Sequence, residues 1–127
     1  MTKPELSGTR DLHFSKWLRR SLPDSSTGYS ISDIDFAIWN WQTKKVMFCE
    51  VKLHGKELAT GQLLQMRRMA RWIQAGIDDG WQYAGWVVVT FERTGFDDGR
   101  VWIRGIEQNE NTLVTEAGLR ELLSLNT

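Results

Sequence analysis

The sequence predicts an α/β domain in which a mixed β-sheet is flanked by helices, and three observations carry that expectation. Residues 33–41 and 46–53 both alternate and are rich in apolar and aromatic side chains; the polar stretch between them is short, which reads as a β-hairpin. Gly85-Trp86-Val87-Val88-Val89-Thr90-Phe91 is a nearly unbroken apolar run, as expected of a strand covered on both faces. Between hairpin and run, apolar residues recur at helical spacing.

Taken in order, residues 13–22 place Phe14, Trp17, Leu18 and Leu22 on one helical face, and Pro23 ends that helix. Residues 24–28 form a loop. The hairpin follows, with Gln42, Thr43, Lys44 and Lys45 as its connection. Thr60 then serves as N-cap of a helix to about Ala75, closed by Gly76. Its core stripe is Met66, Ala70 and Ile73, with Leu63 and Met69 nearby. A turn at 78–80 leads into the buried strand, 83–91, and a turn at 96–99 into a last strand, 100–106. Thr115 caps a final helix bearing Leu119, Leu122 and Leu123. Helices and strands in this order make an α/β domain with a mixed sheet.

A chain of 127 residues is long enough for one core, so a single domain over 1–127 is expected. Apolar residues make up 41% and charged residues 25%, an ordinary globular balance. No apolar run has membrane-span length, and no secretory signal is visible at the N-terminus. Cys49 is the single cysteine, which excludes an internal disulfide and points to the inside of a cell, the cytoplasm of a bacterium or a phage-infected host. Net charge is zero but unevenly spread: residues 1–72 hold twelve Lys/Arg against seven Asp/Glu, and residues 73–127 hold four against nine. A basic face on the first part would suit nucleic acid. Zinc-type His/Cys spacing, a glycine-rich phosphate loop and a Ser/His/Asp arrangement are all absent from the sequence.

The hairpin carries the chemistry. Alternation places Asp33, Asp35, Ala37, Trp39 and Trp41 on one face of the first strand, and Val46, Phe48, Glu50 and Lys52 on one face of the second. A turn centred between Thr43 and Lys44 pairs Trp41 with Val46, Trp39 with Phe48, Ala37 with Glu50 and Asp35 with Lys52. One face is then apolar near the turn and ends in carboxylates and a lysine. Charges on a core-facing surface need compensation. A divalent cation, Mg²⁺ or Mn²⁺, held by the oxygens of Asp33, Asp35 and Glu50 is one solution. A plain ion pair from Asp35 to Lys52 is the other.

The segment Ser30-Ile31-Ser32-Asp33-Ile34-Asp35-Phe36, the hairpin, Phe48-Cys49-Glu50-Val51-Lys52, and Gly61-Gln62 opening a helix together resemble the PD-(D/E)XK nuclease superfamily. That group includes restriction endonucleases, Holliday-junction resolvases and small phage nucleases. The resemblance covers about residues 10–92. It implies a restriction-endonuclease-like fold, Mg²⁺-dependent hydrolysis of DNA, metal ligation by Asp33 or Asp35 with Glu50, and a catalytic role for Lys52. Serine stands in place of the motif's proline, and the tandem aspartates leave two choices of motif aspartate, Ser32-Asp33 favouring Asp33 and the hairpin register favouring Asp35. Gln62, in the first turn of the following helix, matches a glutamine that related nucleases carry beside the metal.

Arg67, Arg71 and Gln74, with Arg68 beside them, form a polar stripe on that helix suited to phosphate. Lys44 and Lys45 at the hairpin tip, and Lys16, Arg19 and Arg20 on the first helix, extend the basic surface, while His54 and Lys56 edge the groove. Glu5 and Asp11 are candidates for the additional acid some resolvases use, and Gln65 is a weaker candidate than Gln62. The expected partner is DNA of branched or junction structure, with RNA as an alternative. A homodimer would supply the second site that a double-strand cut requires. The rival reading is a catalytically inactive module of the same fold that binds DNA or a protein.

Overall fold

A computed structural model describes residues 14, 16–18, 20–23, 26, 34–56 and 58–126. The chain falls into two compact units, residues 1–33 and 34–127. In the first, residues 14, 16–18, 20 and 21 are helical, Leu22 N–H donates to Leu18 O at 3.1 Å, and Pro23 follows. The Phe14 and Trp17 rings stack at 5.9 Å, as their three-residue spacing on a helix allows.

The second unit is an α/β structure with one five-stranded mixed sheet. Its elements are β1 (Phe36–Asn40), β2 (Lys45–Leu53), α1 (Thr60–Gly76), β3 (Gln82–Phe91), β4 (Val101–Gly105), β5 (Thr112–Leu113) and α2 (Glu116–Ser124). The strands lie side by side in chain order. Only β2 and β3 are parallel, with α1 as the crossover between them; the other neighbours are antiparallel.

Alternation along the strands feeds two cores. Met47, Cys49, Val87, Val89 and Val101 turn to one face, where Leu119 of α2 and Leu125 join them. Trp86, Val88 and Phe48 turn to the other, beneath Met66 and Ala70 of α1. The apolar run of β3 thus packs on both faces, as its composition requires. Gly85 has φ +124°, a conformation closed to side chains, and it marks the slip in β2–β3 pairing between Val46 and Met47.

The hairpin register differs from the sequence expectation by two residues. Trp39 pairs with Val46 and Ala37 with Phe48, so the turn is centred between Gln42 and Thr43. The cause is Asn40, whose Oδ1 accepts from the Gln42 and Thr43 amides at 3.0 and 3.1 Å and closes the turn early. Lys44 completes it at φ 56°. Asn40 Nδ2 also donates to Ser124 O at 2.8 Å, and Thr43 Oγ1 to Leu125 O at 2.7 Å, which fastens the hairpin tip to the end of α2. A slip of two keeps every side chain on its expected face.

Three smaller differences concern element ends. β1 begins at Phe36, so Asp35 lies just before the strand. The N-cap of α1 is Ala59 with no side-chain bond, and Thr60 is the first helical residue, so the expected Thr60 cap is absent. The two-residue β5 was not expected. Thr115 does cap α2, accepting from Gly118 N–H at 3.0 Å.

Candidate metal and phosphodiester site

Glu50 stands near the C-terminal end of β2, paired with Val88 of the parallel strand β3. It is 4% exposed and is the buried charged residue among the described residues. Its face is set by alternation with Phe48, which packs under α1, so the carboxylate points to the helix side of the sheet. The loop from β2 into α1 brings the first turn of the helix back over this corner. Gln62 Nε2 donates to Glu50 Oε1 at 3.4 Å, and Lys52 Nζ lies 3.7 Å from the same oxygen. Glu50 Oε2 is buried with no hydrogen-bond partner.

Continued one step beyond β1, the observed register brings Asp35 level with Glu50 rather than with Lys52. Asp35 Oδ2 accepts the Val51 amide at 2.9 Å, which fixes the aspartate against the edge of β2. Burial pushes the Glu50 pKa up, the Asp35 charge pushes it further, and Lys52 opposes both. Two carboxylates this close repel each other when both are ionised, and either a proton shared between them or a cation relieves that repulsion. Cys49 points into the opposite core, and burial, with Asp35 and Glu50 adding, raises its thiol to about 11. It is no nucleophile at neutral pH.

The donor set fits a hard divalent ion. One or two carboxylates, completed by waters and substrate phosphate, are the usual protein share of a Mg²⁺ site. Among the described residues, no three His, Cys, Asp or Glu side chains converge, so Asp35 and Glu50 are the available pair. Asp33, Glu5 and Asp11 lie outside the described residues.

Compared with known proteins, the chain matches no family model, no curated protein and no solved structure. Its chemistry is therefore read from its own residues.

The expected basic residues divide into separate groups. Arg68 and Arg71 are exposed on α1. Arg67 Nε donates to Ile106 O at 2.7 Å and pairs with Glu107 at 3.6 Å, so it ties the helix to the segment after β4. Lys45 opens β2, five residues from Glu50 and roughly 16 Å away at strand rise, and Lys44 precedes it in the turn. They do not border the carboxylates. Lys56 is exposed in the loop after β2, and the exposed His54 ring stacks with Trp102 at 5.2 Å. Lys16 and Arg20 belong to the first unit, and Arg19 lies outside the described residues.

Sequence reasoning missed two features. The first is the Trp102 environment; the alternation Arg100, Trp102, Arg104 in the last strand was its signal. The second is an open cleft of about 550 Å³, lined by Trp39, Phe48, Trp72 and Trp81 together with Asp78 and Asp79. It lies at the far end of α1 from Gln62. No described helix is long and apolar enough to cross a membrane.

Proposed function

We propose that this protein is a metal-dependent nuclease of the PD-(D/E)XK type that hydrolyses phosphodiester bonds in DNA of branched or junction structure. The observation that carries the reading is the buried Glu50 carboxylate. One of its oxygens meets Gln62 and Lys52, the other has no partner, and Asp35 stands beside it. A buried charge left half satisfied is costly, and an apolar side chain at this place in the sheet would be at least as stable.

Asp35 and Glu50 would hold Mg²⁺ or Mn²⁺, which when bound polarises a phosphate and lowers the pKa of a bound water. Lys52 brings an ammonium to the same corner, where it offsets the charge that builds on the phosphoryl oxygens during attack. The Gln62 side chain is placed to orient water or a phosphate oxygen through its amide. Water attacks phosphorus, the bond to the leaving oxygen breaks and that oxygen takes a proton from solvent. The proton released by the attacking water passes to solvent or to a carboxylate. The site lies at the C-terminal ends of the parallel pair, where α/β sheets commonly bind ligands.

The binding-module reading rests on the tryptophan-lined cleft at the other end of the hairpin, a surface suited to a partner rather than to hydrolysis. Cleavage of single-stranded, duplex, flap and four-way-junction DNA in Mg²⁺ or Mn²⁺ separates the two. Glu50→Ala and Lys52→Ala are expected to lose on the order of 10²–10³ in rate while remaining folded, the size of effect a few kcal/mol at the transition state produces. Absence of cutting by the wild type, or equal cutting by the variants, would leave the binding module as the reading.

A further inference from the structure

Beyond the carboxylates, the sheet presents a row of side chains that hydrolysis itself does not require. Lys52 is level with Thr90 on β3, Thr90 with Trp102 on β4, and Trp102 with Leu113 on β5. Residues level with one another in a sheet share a face. The row therefore runs from the lysine of the candidate site across the open part of the same face. Two strand spacings separate Lys52 from Trp102, roughly 10 Å between backbones.

Trp102 is half-buried and joins neither of the two apolar cores, although Val101 and Ile103 on either side of it do belong to one. Its partners are polar. The His54 ring stacks with it at 5.2 Å and 25° between planes, and the Arg100 guanidinium lies over it at 5.1 Å. The His54 backbone and the Arg100 side chain are each fixed by a further bond. His54 N–H donates to Phe91 O at 2.7 Å, and Arg100 forms a two-point pair with Glu92, with contacts of 3.0 and 3.2 Å. The arginine charge is thus largely matched by Glu92, so what this surface offers is the exposed His54 ring backed by Trp102 rather than free positive charge.

We propose that His54 and Trp102 form a stacking platform for an unpaired base next to the phosphate to be cut, and so set the substrate class as DNA with single-stranded character at the cleavage point. This rests on the nuclease reading for the meaning of the neighbouring site, but the platform itself is a binding surface. Every base has a π-face, so such a platform selects strand state and not sequence. A fully paired duplex keeps its bases inside the helix and cannot use it.

The test uses oligonucleotides carrying 2-aminopurine near the cleavage point, as single strand, flap and continuous duplex, in the Lys52→Ala background so that the DNA stays intact. Quenching of the base on binding single strand and flap is expected, with no quenching in duplex. His54→Ala and Trp102→Ala are expected to lose the quenching and bind the single strand about tenfold more weakly, with duplex binding unchanged. Trp102→Phe, which keeps a ring in place, is expected to retain most of the quenching and guards against a folding defect in the alanine variant. Quenching that persists in both His54→Ala and Trp102→Ala, or equal binding of duplex and single strand by every variant, overturns the platform. If the wild-type chain cuts DNA but its strand preference ignores both residues, the platform fails and the nuclease stands. If nothing is cut in any metal while quenching still depends on His54 and Trp102, the nuclease fails and the platform stands.

Discussion

The two ends of the β1–β2 hairpin share strands, alternation and sheet face, yet they are built from opposite materials. Near the turn, Trp39 sits across from Val46, and Trp81 meets Trp39 and Trp41 edge-on at 5.4 and 4.9 Å. Trp39 and Trp41 remain more than half exposed. That end is secured by cheap means: ring contacts, and the hydrogen bonds of Asn40 and Thr43 to the end of α2. At the far end Glu50 is buried beside Asp35, with one oxygen unpartnered. Apolar rings that could have been buried are exposed, while a carboxylate that belongs in water is enclosed. On the proposed nuclease reading, the polar end is kept for chemistry at a cost in stability, whereas the aromatic end bears on folding and surface contact.

If so, Glu50→Leu should have the largest effect on the fold, and in the stabilising direction. The variant is expected to gain about 1–3 kcal/mol in urea unfolding with chelator present, since it removes an unsatisfied buried acceptor. A loss of stability instead would break the contrast between the two ends. The gain should also depend on pH. Glu50 holds its proton more readily in the folded than in the unfolded chain, so metal-free stability should fall as pH rises from the ordinary glutamate value of 4.5 through its higher native value. Above that it levels off, and Glu50→Leu should lack this fall.

A divalent ion should reverse the deficit in the wild type. At five times its dissociation constant, Mn²⁺ or Mg²⁺ is expected to add about 1 kcal/mol, read as a rise in Tm, and to add nothing to Glu50→Leu. An equal rise in both would place the ion elsewhere. The smallest effect is expected at the aromatic end. Trp41→Ala should cost about 0.5 kcal/mol through its lost edge contact with Trp81, and should leave cleavage unchanged. Impaired cleavage in that variant would join the two ends functionally.

Much of this was legible in the chain itself. The hairpin, the doubly covered β3, the helix between them and the Thr115 cap all follow from period and capping chemistry, because local sterics and alternation act over a few residues. The grouping of Glu50 with Lys52 follows from alternation alone, and with Asp35 it survived a register error because that error was even. Other features depended on groups distant in sequence. The turn position was decided by Asn40, which bonds both forward to its own turn and across 84 residues to Ser124. The engagement of Arg67 Nε by Ile106 and Glu107, a tie within the fold, had no signal in the helix itself.

By itself, then, the sequence determined the hairpin strands, α1, β3, β4, α2 and the face that Glu50 takes, since those depend on nearest neighbours along the chain. Only the tertiary structure decided that Glu50 would be buried with an oxygen to spare and that Lys52, Thr90 and Trp102 would stand in one row. Burial and strand order arise from packing between segments far apart in the chain, and no periodicity within one segment encodes them.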